Sequence, residues 1–279
     1  MSISRLMQMG AAYYAANADP WTNPDIANAS YDSVSFDLTL AANIRGMFFK
    51  SDGTKLYISH DLPTSSDGIK EYTMSTAWDI STLSLSHTLN VSSITSVPNG
   101  IYIKPDGSSL YITSGNNDTI YRYNLSTNWD LSTATSASQS FYVSSNEPNP
   151  TDVTFKPDGT RMYVCGTGSE AVSEYSLSTA WDVSTASYQN QFSTTTQSAY
   201  PSCVSFNDDG TKMYITTYSS SADIFEYTLS TAWDVSTASY NSISFADSTL
   251  SDPYIHAFKS DGSKAYFIDD TDVVYQYST

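Results

Sequence analysis

"ASYDSVSF" occupies Ala29–Phe36, and "ASYNSISF" occupies Ala238–Phe245. The second copy closes a unit that the chain writes several times. It directly follows "EYTLSTAWDVST" (Glu226–Thr237), whose relatives are "EYTMSTAWDIST" at Glu71, "RYNLSTNWDLST" at Arg122 and "EYSLSTAWDVST" at Glu174. The first copy follows no such segment. At the other end the chain stops on "VYQYST" (Val274–Thr279), a segment of the same kind that halts before its Trp. The N-terminus thus carries what the C-terminus lacks. A linear stack of repeats gains nothing from that offset. A closed ring does, because sealing the last unit with the first strand removes an exposed sheet edge.

The unit has a second anchor. Asp-Gly turns recur at Asp52, Asp106, Asp158, Asp209 and Asp261, in "KSDGTKLYI", "KPDGSSLYI", "KPDGTRMYV", "NDDGTKMYI" and "KSDGSKAYF". An apolar segment precedes each turn and an alternating one follows, which is a hairpin signal. A third strand ends at the Trp segment and a fourth follows it. Four short strands in roughly 50 residues is the size of a propeller blade. The fold predicted is all-β: a five-bladed β-propeller of four-stranded blades, closed by an N-terminal strand within 30–38. The blades run over about 44–92, 98–144, 150–194, 202–246 and 254–279, with residues 1–28 left as an arm. Trp78, Trp129, Trp181 and Trp233 read as aromatics packed between blades near the outer rim, and Trp21 is the candidate for the fifth.

Composition agrees. Ser and Thr fill 81 of the 279 positions and Tyr another 22, a mix that favours strands and polar turns over helices. The net charge of −17 repels phosphate backbones, which argues against nucleic acid as a partner. No apolar run is long enough for membrane insertion, and the first 20 residues lack the continuous apolar stretch of a signal peptide. Cys165 and Cys203 read as small buried hydrophobes.

The repeated words look structural. Each Asp-Gly turn offers one carboxylate beside a basic residue, too few oxygens for calcium, so no metal and no cofactor is expected. Of the histidines His60, His87 and His256, none sits in a nucleophile elbow or a metal-spaced pair. At the channel positions Gly46, Gly100, Asp152, Cys203 and Ile255, Asp152 stands alone. The expectation is a protein with no catalytic residue.

Loops on the face opposite the Asp-Gly turns are irregular and acidic, and eight of the twelve basic residues flank the turns instead. Recognition usually sits on such loops. The candidate ligand-binding residues are Asp61, Asn116, Asn117, Asp118, Tyr200, Tyr218, Asp223, Tyr254, Asp269 and Asp270. In the arm, Ile3, Leu6 and Met7 lie at helical spacing and are candidates for docking on another chain.

The segments Phe155–Val164 and Glu174–Tyr188, with their copies across roughly 29–279, resemble a repeat of propeller-type structural proteins of tailed bacteriophages, and "SISRLMQMGAA" resembles the short N-terminal anchors of phage appendages. The resemblance implies a non-enzymatic virion component: a tail or neck appendage, a fibre or a capsid decoration. It would dock on other virion proteins by its arm and present the loop face to host-surface glycan or protein. The alternatives are a bacterial surface or secreted binding propeller and, third, a propeller hydrolase. Oligomeric state is left open.

Overall fold

The computed structural model describes residues 23–38, 43–61, 67–218 and 224–279, and these form five four-stranded antiparallel sheets. Blade 1 is β2 (Ile44–Phe49), β3 (Lys55–His60), β4 (Gly68–Met74) and β5 (Leu83–Asn90). Blade 2 is β6 (Pro98–Ile103), β7 (Ser109–Ser114), β8 (Thr119–Leu125) and β9 (Ala134–Tyr142). Blade 3 is β10 (Pro150–Phe155), β11 (Arg161–Gly166), β12 (Ala171–Leu177) and β13 (Ala186–Ser193). Blade 4 is β14 (Pro201–Phe206), β15 (Lys212–Thr217), β16 (Ile224–Leu229) and β17 (Ala238–Phe245). Blade 5 joins β18 (Ile255–Phe258), β19 (Lys264–Ile268) and β20 (Val273–Ser278) to β1 (Ser30–Asp37) from the start of the chain. The fold is the five-bladed propeller that the phase of the repeat predicts, closed by the N-terminal strand.

Burial follows from stacking blades face to face. The second strand is covered on both sides, so Leu56, Tyr57 and Ile58 are fully buried. The fourth strand is an edge and alternates, with burial in β5 falling at every second position of its outer half. Each Asp-Gly turn needs a left-handed glycine, and the turn's Trp lies across it: a Cβ on Gly159 (φ 73°) would sit 2.3 Å from the Trp181 ring. The Trp backbone is itself left-handed (φ 68° at Trp181), held by its N–H donating to the Gly159 carbonyl at 3.0 Å. The following Asp182 accepts from Ser184 N at 3.0 Å and caps a short 3-10 turn.

A hydroxyl stitch joins the blades. Tyr57, Tyr111, Tyr163 and Tyr266 donate to the carbonyls of Trp129, Trp181, Trp233 and Trp78 in the next blade, at 2.7–2.8 Å. The Trp rings pack between blades, and Trp78 and Trp233 also line a pocket on the Asp-Gly face. The joint between blades 4 and 5 breaks the pattern: the buried Tyr214 hydroxyl has no hydrogen-bond partner among the described residues. Trp21 lies outside those residues, as do Ile3, Leu6 and Met7 of the arm.

Candidate functional site

The inner strands of all five blades start on the loop face and end on the Asp-Gly face, so each face has a mouth at the ring centre. On the Asp-Gly face the lysines expected to make the surface basic are paired: Lys50 with Asp52 at 2.6 Å, Lys104 with Asp106 and Lys156 with Asp158 at 2.7 Å. Burial works against the Asp106 carboxylate, but hydrogen bonds from Lys104 and Ser108 outweigh it and hold its pKa below the ordinary range.

The loop-face mouth is a pocket of about 560 Å³ to which every blade contributes. Asn43 precedes β2, whose start supplies Ile44 and Arg45; Asn99 comes from β6, Asn149 precedes β10, and Thr151 lies in it. Tyr200, Ser202 and Tyr218 come from blade 4, and Tyr254, Asp270 and Asp272 from blade 5. Arg45 is the one basic residue on the described lining, and it pairs loosely with Asp61 at 3.6 Å. Asp272 is held by its neighbours: its two carboxylate oxygens accept from Asn43 N at 3.0 Å and Ile44 N at 2.9 Å, clamping blade 5 to blade 1. Burial raises the Tyr254 pKa far above the ordinary phenol value, with Asp272 adding and Arg45 opposing. Tyr200 and Tyr218 are about half exposed, at 53% and 52%. Carboxamides, two accessible phenol rings and one guanidinium around a concave centre suit a small polyhydroxylated ligand bearing a polarisable carbonyl.

Of the residues singled out in the sequence, Asn116, Tyr200, Tyr218, Tyr254 and Asp270 line this pocket, and Asp61 stands behind Arg45. Others have structural posts. Asn117 donates to the Ile94 carbonyl at 2.8 Å, Asp118 takes a left-handed turn conformation, and the buried Asp269 accepts from Ser251 N at 3.0 Å and from Thr271. Asp223 lies outside the described residues. Arg45 was missed. The available signal was its position: it is one of four basic residues that do not flank an Asp-Gly turn.

Between the two mouths the inner strands approach closely. A Cβ on Gly100 would come within 2.0 Å of Asp152 Oδ1, and one on Gly46 within 2.9 Å of Gly100 Cα. Asp152 is fully packed, accepts from Val204 N at 3.0 Å, and has its pKa pushed up to about 7 by burial. Beside it, Cys165 and Cys203 are buried free thiols, as expected.

Comparison with known proteins finds both a family and a shared fold. A family model described as "Lactonase, 7-bladed beta-propeller" matches residues 28–206, more than half of the chain. Among solved structures, a candidate 6-phosphogluconolactonase of Bacteroides uniformis superposes with a TM-score of 0.57 at 12% identity, covering 84% of this chain and 80% of the other. A second such candidate, from Bacteroides fragilis, gives 0.54 at 13% identity, covering 84% and 79%. The periplasmic gluconolactonase of Pseudomonas aeruginosa gives 0.50 at 10% identity, covering 80% and 62%. At such identities the superpositions speak for the fold alone. A search of curated proteins finds no match.

These findings overturn the phage reading. The repeat that resembles virion propellers is matched by a lactonase family model, and the similar solved structures above are bacterial propellers. The non-enzymatic virion role goes with it, as do virion proteins as partners through the arm, host glycan as the target of an appendage, and the virion as location. The physical reason is that turn, Trp and strand words record how blades stack. They are shared by any propeller that stacks blades this way, whatever its mouth does.

Proposed function

The chain belongs to the lactonase, seven-bladed β-propeller family although it builds five blades, and we propose that it hydrolyses a sugar lactone in the loop-face pocket. A blade is a modular unit and rings close at several counts, so the blade number does not bear on the mouth. The observation that carries this reading is Arg45, the one cation on the described lining of a concave, otherwise neutral-to-acidic centre whose lining also holds the exposed Asp270.

In this reading Arg45 hydrogen-bonds the lactone carbonyl oxygen and stabilises the negative charge that develops there. Asp270 takes a proton from water, and the oxygen of that water attacks the carbonyl carbon. Collapse breaks the ring C–O bond, and the ring oxygen takes the proton from Asp270. The product is an open-chain hydroxy acid whose carboxylate faces Arg45. Tyr200 and Tyr218 offer ring faces to the sugar C–H surface, and the carboxamides of Asn43 and Asn149 serve its hydroxyls.

The test is hydrolysis of γ- and δ-aldonolactones followed by pH-stat, corrected for spontaneous opening. Arg45→Gln and Asp270→Asn should each lower kcat/KM by about 100-fold. A wild-type rate equal to the spontaneous one across the panel would reject the reading, and so would variants that match wild type.

A further inference from the structure

The repeat itself shows where blade chemistry departs from blade structure. Five residues before the Asp of each Asp-Gly turn stand Met47, Ile101, Val153 and Val204, all buried apolar core residues. In blade 5 the same position is His256, 2% exposed. Its ring reaches into blade 4. Nε2 lies 2.6 Å from Ser205 Oγ and Nδ1 lies 2.5 Å from Thr216 Oγ1. The position of Ser205 varies from blade to blade, holding Phe48, Tyr102, Thr154 and Ala257 elsewhere, and only in blade 4 does its hydroxyl face a histidine of the next blade. An aliphatic residue serves the stacking at the other four positions; here two hydrogen bonds into blade 4 take its place.

Ser205 is not sealed off. It is half-buried and, with His256, lines a pocket of about 240 Å³ on the Asp-Gly face, opposite the lactone pocket. Its lining combines the rings of Phe155, Phe206, Phe258 and Trp233 with the polar Asp152, Asn207 and Asp208. The small volume and the rings fit a short acyl group, and the carboxylates disfavour an anionic one.

We propose that Ser205 is a nucleophile activated by His256, and that this pocket is a second, esterolytic site for small apolar carboxylic esters. Nδ1–H donates to Thr216 Oγ1, which fixes the tautomer and leaves Nε2 to accept from Ser205. Burial disfavours the charged imidazolium, so the ring rests neutral and takes the Ser205 proton only as the Oγ–acyl bond forms. Ser205 Oγ attacks the acyl carbon while its proton passes to Nε2. Collapse breaks the ester C–O bond, and the leaving alcohol takes that proton. Water then gives a proton to Nε2 and attacks the acyl-serine. The Oγ–acyl bond breaks, Oγ regains the proton, and the carboxylic acid leaves.

The experiment treats the folded protein with diisopropyl fluorophosphate and maps the adduct by peptide mass spectrometry. One adduct per chain, on Ser205, is expected. Ser205→Ala should abolish it. Ser260→Ala, on the same pocket's lining but without a histidine partner, should keep it. His256→Gln should slow labelling about 100-fold with the fold intact. If that variant does not fold, Thr216→Val keeps the shape, loses the orienting hydroxyl, and should slow labelling about 10-fold. No adduct, an adduct on another residue, or labelling at the wild-type rate in the folded histidine or threonine variant overturns the proposal.

Discussion

Asp152 shows how a single side chain can invert an ordinary pH response. Its peers in the channel layer are Gly46, Gly100, Cys203 and Ile255, and a carboxyl there has traded water for a few protein donors, Val204 N at 3.0 Å chief among them. Burial lifts its pKa from 3.8 to about 7. Between those values the native state keeps a proton that the unfolded chain has released. The contribution to stability is therefore greatest at acid pH and is lost as pH rises toward 7, by about 4 kcal/mol in all. Asp152→Asn removes the titration, so the variant should gain on wild type in urea midpoint between pH 5 and pH 8. Parallel midpoints across that range would show that the carboxyl is better solvated than its packing implies. Such residues are the hardest to read from sequence. Asp152 was visible there as an oddity, but nothing in the string showed that β14 would bring Val204 N to it. His256 was likewise taken for inert, since its partners Ser205 and Thr216 lie 51 and 40 residues away and meet it only across a blade joint.

The elements were legible because each is specified locally and then repeated. Asp-Gly with its left-handed glycine fixes the first hairpin, and the Trp and its capping Asp fix the turn into the fourth strand. Closure was legible from phase alone. Strand β1 pairs with β20, with Phe36 opposite Val274, and a bulge between Tyr31 and Val34. Asp32 sits in that bulge and receives Lys264, Gln276 and Ser278. Burial works against its carboxylate, yet those hydrogen bonds hold its pKa below the ordinary range. Deleting residues 29–38 leaves β20 with an open edge and takes the Asp32 acceptor from Lys264, Gln276 and Ser278. The truncated protein should aggregate or melt far lower, as judged by size-exclusion chromatography and thermal scanning. A monomer with the wild-type Tm would mean the ring does not need its seal. What the elements did not reveal was function, because the same four-strand words serve any mouth.

At the scale of the whole molecule, opposing titrations set a stability optimum. His256 and His60 are both buried, and desolvation holds them neutral, at about 3 and about 4 against an ordinary 6.5. Below that ordinary value the unfolded chain takes up protons that the native state refuses, so their contribution is full above about pH 6.5 and falls with acid. Asp52, Asp106, Asp158 and Asp261, all depressed, lose their contribution at still lower pH. Asp152 and Glu147, both raised by burial, act on the other limb, where stability is lost as pH rises. The net charge of −17 steepens that limb through self-repulsion, which salt screens beyond roughly 8–10 Å. A thermal midpoint highest near pH 6 follows, with added salt raising it more at pH 8 than at pH 6. His60 isolates the acid limb. Among the described residues both its ring nitrogens are buried without a hydrogen-bond partner, and of its ionised neighbours there Lys70 disfavours its protonation and Asp67 favours it. His60→Leu deletes a proton-binding group of the unfolded state and leaves no donor or acceptor orphaned. The variant should therefore gain on wild type as pH falls from 7 to 5, read as a growing difference in Tm between the two proteins. A constant difference over that interval would mean that His60 already carries its proton in the native ring, paired with Asp67, and that the acid limb rests on His256 and the turn aspartates.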